Sequence, residues 1–296
     1  MGNNSYRILR LLLLLASASI PMFYLISLIL GYGLQFWITI THLGDKELYI
    51  ALLPIIYHGI SRSLGIEILM IFSTSMWFGN MLKNLLRMPR PPEELWKINV
   101  EGFGFPSGHA QGSTTFWGFI SAKYRDLVIT LFTIVLVTFV SLSRVILGVH
   151  YIHDVIGGIA IGVTIVTISI IAKRRLRNMN YRVLRLLIVM YSVIFLILPL
   201  FLNISTDIDY MISGIILGAG LGHIELTRVS KAKKTNLDLL ERTIGSIMGL
   251  VIGGIGYLSI EGLSGIYLYI GYALLSFIII YPIGIFVNMI GTIRHH

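Results

Sequence analysis

Polar positions in this chain are sparse, and they punctuate long apolar runs near 9–30, 47–61, 64–86, 108–122, 127–147, 151–172, 184–202, 208–226, 243–260 and 266–290. A helix that crosses the hydrocarbon core needs about 20 mostly apolar residues. The second and fourth runs are short, and the rest are long enough. The runs are continuous and do not alternate, which speaks against a porin-like barrel. Residues 31–46, with Phe36 and Trp37, read as an interfacial connection before the second run. The pattern predicts an all-α, polytopic membrane helical bundle of about ten transmembrane helices.

Composition agrees. Of 296 residues, 55% are hydrophobic and 12% charged, against about 25% charged in a typical soluble domain. Mean hydropathy is +0.83. So few charges would not cover a water-soluble surface, and so much apolar surface excludes disorder. Cysteine is absent, which removes disulfides, thiolate ligands and thiol nucleophiles. The first run lacks a small-residue cleavage site and reads as a retained span.

Charge orients the bundle. The 23 basic and 14 acidic residues leave a net charge of +9. The basic clusters lie between apolar spans, so the expected partners are the bilayer and a membrane lipid, not nucleic acid. If the N-terminus is cytoplasmic, 17 of the 23 cations fall on inside segments. The other six are Lys46, Lys83, Arg87, Arg90, Lys97 and Arg144. That asymmetry predicts a multi-pass cell-membrane protein with both termini cytoplasmic. The basic run 173–185 separates six spans from four, giving expected domains 1–172 and 173–296. The second is rich in small residues: Gly214, Gly218 and Gly222, then Gly245, Gly249 and Gly253, recur every four, a spacing suited to close helix packing. His223 and Glu225 are expected to pair or to meet the basic loop, Asp207 and Asp209 to be solvated, and 231–234 to help set topology.

The outer-side exceptions are where chemistry is expected. Ionisable groups at membrane depth cost about 2.5–3.5 kcal/mol each on insertion scales and are usually functional. One segment is Lys83-Asn-Leu-Leu-Arg-Met-Pro-Arg90-Pro91, whose prolines end a helix. Another is Pro106-Ser107-Gly108-His109. The last is Ser143-Arg144, then five residues, His150, three more, and Asp154. Lys83, Arg90 and Arg144 suit phosphate oxygens. Ser107 and Gly108 stand where a helix begins, and free amides with the positive dipole end favour an anion there. His150 and Asp154 are four apart and share a helix face. Asp154 would fix the tautomer, leaving His150 to attack phosphorus and form a phosphohistidine. His109 would protonate the leaving oxygen and later deprotonate water. The surrounding cations would repel a divalent ion, so no metal and no cofactor is expected at the histidines. His153 is expected to pack at the interface.

These segments, in order and spacing, resemble the three-part signature of the type 2 phosphatidic acid phosphatase superfamily. Its members include lipid phosphate phosphatases and isoprenyl-diphosphate phosphatases. The resemblance implies a six-helix phosphatase core over about residues 1–172, facing away from the cytoplasm, and metal-independent hydrolysis through phosphohistidine. By it His150 is the nucleophile, Asp154 its partner and His109 the acid/base, while Lys83, Arg90, Ser107, Gly108 and Arg144 bind phosphate. It does not reach residues 183–296, so about four C-terminal transmembrane helices have no assigned role. The expected substrate is a polyprenyl diphosphate of the undecaprenyl or dolichyl kind, cut to the monophosphate. Phosphatidate or another lipid monophosphate is the alternative. Readings of another class are a lipid phosphotransferase and a phospholipid-binding or transport protein. A homo-oligomer is compatible with all of them.

Overall fold

A computed structural model describes residues 3–176, 179–230 and 237–294. The basic segment 231–234 lies outside the described residues. Among those described, the chain is all-helical. The helices are α1 (Asn3–Ile29), α2 (Gly33–Thr41), α3 (Lys46–Pro54), α4 (Arg62–Leu86), α5 (Gly108–Tyr124) and α6 (Leu127–Ile146). They continue as α7 (Ile152–Leu176), α8 (Tyr181–Phe201), α9 (Asp207–Ser230), α10 (Leu239–Ile260) and α11 (Ile266–Arg294). A 3₁₀ turn follows α2 at His42–Gly44, and a π turn follows α3 at Ile55–Ile60.

Every predicted run meets a helix, and among the described residues seven of these helices are candidate spans by length and composition, against about ten expected. By length and composition, α1 and α6 to α11 are long and apolar enough to cross a membrane. The other three runs are shorter or more polar, for physical reasons. The run 47–61 is divided between nine-residue α3 and the six-residue π turn. Helix α5 has 17 residues and buries Gln111, Ser113, Thr114 and Thr115. Helix α4 is 25 residues long, but Ser73, Ser75, Asn80, Lys83 and Asn84 dilute its apolar character. The connection 31–46 is also more ordered than expected. Trp37 of α2 is buried, its ring centroid 5.0 Å from Tyr24 and 5.9 Å from Phe139.

The chain forms two compact units. One contains Met1–Tyr49 and Thr74–Ile170, the other Ile50–Ser73 and Ile171–His296. Chain order alone would put residues 50–73 in a 1–172 domain, whereas their packing puts them with the C-terminal helices.

In the first unit, Ile20, Trp37, Ile40, Phe132, Leu136, Val140, Leu147 and Val149 form one buried cluster. Helix α6 starts where Asp126 Oδ1 accepts from the amides of Val128 (2.8 Å) and Ile129 (3.2 Å). Such a cap stabilises a helix by about 1 kcal/mol. Arg10 Nε, 3.1 Å from Asp126 Oδ2, ties α1 to the same cap. At its other end α6 closes on buried Leu147 and Val149, which hold the turn carrying His150. Glycines of α7 let α5 and the preceding loop come close. A Cβ on Gly158 would sit 2.6 Å from the Ser107 carbonyl oxygen, and one on Gly157 would sit within the Phe105 ring's contact distance.

In the second unit the glycine ladders are packing surfaces. A Cβ on Gly214 or Gly218 would collide with the α11 backbone at Tyr269 and Ala273. One on Gly245 would meet His58, 3.0 Å away. His223 Nδ1 lies 2.9 Å from the Tyr57 hydroxyl, and Glu225 pairs with Arg185 and Arg228. Asp209, expected in solvent, is buried because its carboxylate accepts from the amide and hydroxyl of Thr206 at the start of α9.

Candidate active site

The three motifs converge within the first unit, and backbone bonds stitch them together. The Ser107 amide donates to the Asp154 carbonyl (3.0 Å), the Lys97 amide to Leu147 (2.9 Å) and the Gly104 amide to Met88 (2.9 Å). Gly148 makes the turn before His150 possible. Its φ is +73°, and a Cβ there would lie 2.1 Å from the Leu95 carbonyl oxygen. Gly148→Ala is therefore expected to cost about 2–3 kcal/mol through left-handed strain and the backbone clash. A thermal unfolding series in detergent checks this, with the midpoint falling by several degrees.

The tautomer of His150 follows from its neighbours. Arg90 Nη1 lies 3.1 Å from His150 Nε2. A guanidinium has no acceptor, so Nε2 must accept and carries the lone pair. The proton is then on Nδ1, which donates to Asp154 Oδ2 at 3.2 Å. The same carboxylate oxygen accepts from the Tyr151 amide at 3.0 Å. Burial, together with the charges of Arg90, Lys83 and Arg144, holds His150 well below its ordinary pKa against the opposing pull of Asp154. The ring is a neutral imidazole with Nε2 turned to a cation.

The expected phosphate ligands are held by main chain. Lys83 Nζ donates to the carbonyls of Phe103 (2.7 Å) and Gly104 (3.1 Å). Arg90 donates to Gly102 (2.9 Å), Glu101 (2.8 Å) and Val149 (2.9 Å). These bonds fold the loop 87–107 around the cations. Arg144 is 3% exposed; its Nη1 donates to Thr41 Oγ1 at 2.7 Å, while its buried Nε has no partner. The buried Ser107 hydroxyl is also unpartnered and does not cap α5. Buried polar groups are rarely left unpaired unless a ligand or water completes them. Gly108 has open space where a Cβ would stand, so the protein's own packing does not demand glycine there. Beside Arg90, an open groove of about 270 Å³ runs past Pro91, Glu93, Trp96 and Phe103.

His153, expected to pack at the interface, stacks on Tyr151 with ring centroids 5.3 Å apart. Its Nε2 also lies 3.2 Å from Asp154 Oδ1, without hydrogen-bond geometry. Two polar neighbours of the site escaped the sequence reading, Thr41 and Asp45. Asp45 Oδ1 is 2.9 Å from His109 Nε2, and Oδ2 is 2.7 Å from His42 Nδ1. The available signal was a histidine and a carboxylate three apart on the connection 31–46. Burial raises the Asp45 pKa, but the two histidines more than offset that, so the group sits below the usual carboxylate value.

The sequence pattern of the PAP2 superfamily matches residues 64–178. Human sphingosine-1-phosphate phosphatase 2 is 30% identical over 137 residues, which are 43% of this chain and 34% of that protein. Phosphatidylglycerophosphatase B of Bacillus subtilis is 29% identical over 137 residues, 42% of this chain and 66% of that protein. Decaprenylphosphoryl-5-phosphoribose phosphatase of Mycobacterium tuberculosis is 38% identical over 88 residues, 29% of this chain and 48% of that protein. The chain spans 39% and 34% of the mouse and human sphingosine-1-phosphate phosphatases it matches. Among solved structures, a transmembrane PAP2-type phosphatidylglycerolphosphate phosphatase from Bacillus subtilis aligns with a TM-score of 0.44 and 20% identity, covering 60% of this chain and 98% of that one. Residues 64–178, which hold all three motifs, are a PAP2 superfamily domain.

Proposed function

We propose that this chain is an integral membrane phosphatase that hydrolyses a lipid-borne phosphate through a phosphohistidine on His150. One observation carries the reading: Asp154 holds the Nδ1 proton while Arg90 donates to Nε2. A nucleophilic lone pair thus faces a cation suited to a phosphate oxygen. Phosphate oxygens take up Arg90, the Arg144 guanidinium, the Ser107 hydroxyl and the free amides that open α5. His150 Nε2 attacks phosphorus, and the lipid oxygen departs with a proton from His109. Water, deprotonated by His109, then clears the intermediate. The site lies on the extracytoplasmic side, because Lys83, Arg90 and Arg144 are among the six cations that the charge asymmetry leaves outside.

The relatives' names bear on substrate: each joins a phosphate to a lipid or polyprenyl carrier. They favour a lipid phosphate with one terminal phosphoryl group. The three cations favour a polyprenyl diphosphate as the second reading.

The test is phosphate release by the purified protein in detergent. Sphingosine phosphate, phosphatidate, phosphatidylglycerophosphate, a polyprenyl diphosphate and glucose 6-phosphate are compared. Release from a lipid substrate is expected to persist in EDTA and to fall with vanadate, which mimics five-coordinate phosphorus. Activity lost in EDTA and restored by Mg²⁺ would count against the phosphohistidine route. Turnover that requires an added acceptor alcohol would identify a phosphotransferase. Binding without turnover would identify a lipid-binding or transport protein.

A further inference from the structure

The 41–45 segment lies against the acid/base histidine, although it belongs to none of the three motifs. Gly44 brings it close: a Cβ there would be 2.8 Å from His109 Cδ2 and 2.6 Å from Val140 Cγ1. The Tyr49 hydroxyl donates to the Leu43 carbonyl (2.7 Å), and Thr41 accepts from Arg144 (2.7 Å), so the segment leading to Asp45 is anchored at two points. Asp45 Oδ1 meets His109 Nε2, and His42 Nδ1 occupies the other carboxylate oxygen. The His109 side chain is 24% exposed, and its Nδ1 has no hydrogen-bond partner among the described residues.

We propose that Asp45 is the positioning residue of His109: it accepts a hydrogen bond from Nε2–H and so makes Nδ1 the nitrogen that exchanges protons with substrate. The inference rests on the phosphatase reading above and adds a second histidine–aspartate pair to it. In the first step the bond from His150 Nε2 to phosphorus forms and the bond from phosphorus to the lipid oxygen breaks. The departing oxygen keeps that electron pair and takes the Nδ1 proton of imidazolium His109. The Asp45 carboxylate stabilises that imidazolium through Nε2–H. In the second step Nδ1 takes a proton from water as the water oxygen bonds to phosphorus. The phosphorus–nitrogen pair returns to His150, and His109 is again imidazolium. His42 holds the second carboxylate oxygen, which fixes the plane of the Asp45 group.

Kinetics on the lipid phosphate released fastest by the wild type test this, using Asp45→Asn, Asp45→Glu, His109→Ala and the Asp45→Asn/His109→Ala double variant. Asp45→Asn keeps shape and an acceptor oxygen but loses the charge. It is expected to lower kcat by about 10²-fold, within the range general acid–base catalysis supplies. KM should change little, and Asp45→Glu should recover part of the loss. Groups acting as one unit are non-additive, so the double variant should match His109→Ala within about twofold. Full kcat in Asp45→Asn would overturn the proposal. So would equal, multiplying losses in the double variant, or a loss confined to KM. If the wild type released no phosphate, or His150→Ala kept its rate, the phosphatase reading itself would fail. A silent Asp45→Asn beside an inactive His150→Ala would sink only this inference.

Discussion

Replacing His150 with alanine is expected to reduce phosphate release by at least about 10⁴-fold, the scale on which removing a nucleophile acts in covalent catalysis. The side chain is nearly fully buried and touches Arg90 and Asp154. Its removal leaves the Asp154 oxygen bonded to the Tyr151 amide and Arg90 bonded to three carbonyls. The neighbours therefore keep their partners, and the protein should still fold. Steady-state release with labelled lipid phosphate, beside a thermal midpoint in detergent, separates lost chemistry from lost structure. A purely binding or transport role predicts the opposite result, with lipid handling intact in the variant.

Arg144→Lys is expected to lower kcat/KM by about 10²–10³-fold, the range seen when one preorganised donor to a developing charge is removed. Charge is retained, so simple electrostatic attraction predicts a small effect. The larger effect follows from geometry. A guanidinium offers a planar fork that an ammonium does not. Here Nη1 is taken by Thr41 and the buried Nε is unpartnered. Lysine would reach either Thr41 or the phosphate, but not both. The loss should appear mainly in kcat if the fork tightens on the five-coordinate phosphorus.

The parts legible in the sequence are those set by short-range spacing. Apolar runs located the helices, because a span must satisfy its backbone internally and is read from length and hydropathy. His150 and Asp154, four apart, do meet, but not on one helix face: His150 stands on the turn before α7 and Asp154 in its first turn. Ser107 and Asp154 were read on separate segments, and the bond between their backbones depends on Gly158 admitting α5, which spacing does not reveal. Helix α2 was missed because nine residues are too few to read as a span, and the buried Trp37 reflects packing against Tyr24 and Phe139. Asp45 was missed for a related reason. It is a single carboxylate on a connection, and its partner His109 lies on another helix far along the chain. The three runs outside the seven candidate spans are α3, divided from its π turn, and α4 and α5, which carry polar side chains of the site and of its support.

The most direct test of the central claim is to trap the covalent intermediate. A labelled nitrophenyl phosphate, whose leaving group departs without a proton, would be mixed with the His109→Ala variant, in which water attack should be slow, quenched in base and digested. The account predicts a phosphoryl label on the peptide containing residue 150, stable to base, lost in acid and absent when His150 is also replaced. Steady phosphate release by the wild type, with no protein-bound label at any quench time or with the label on a serine, would contradict it.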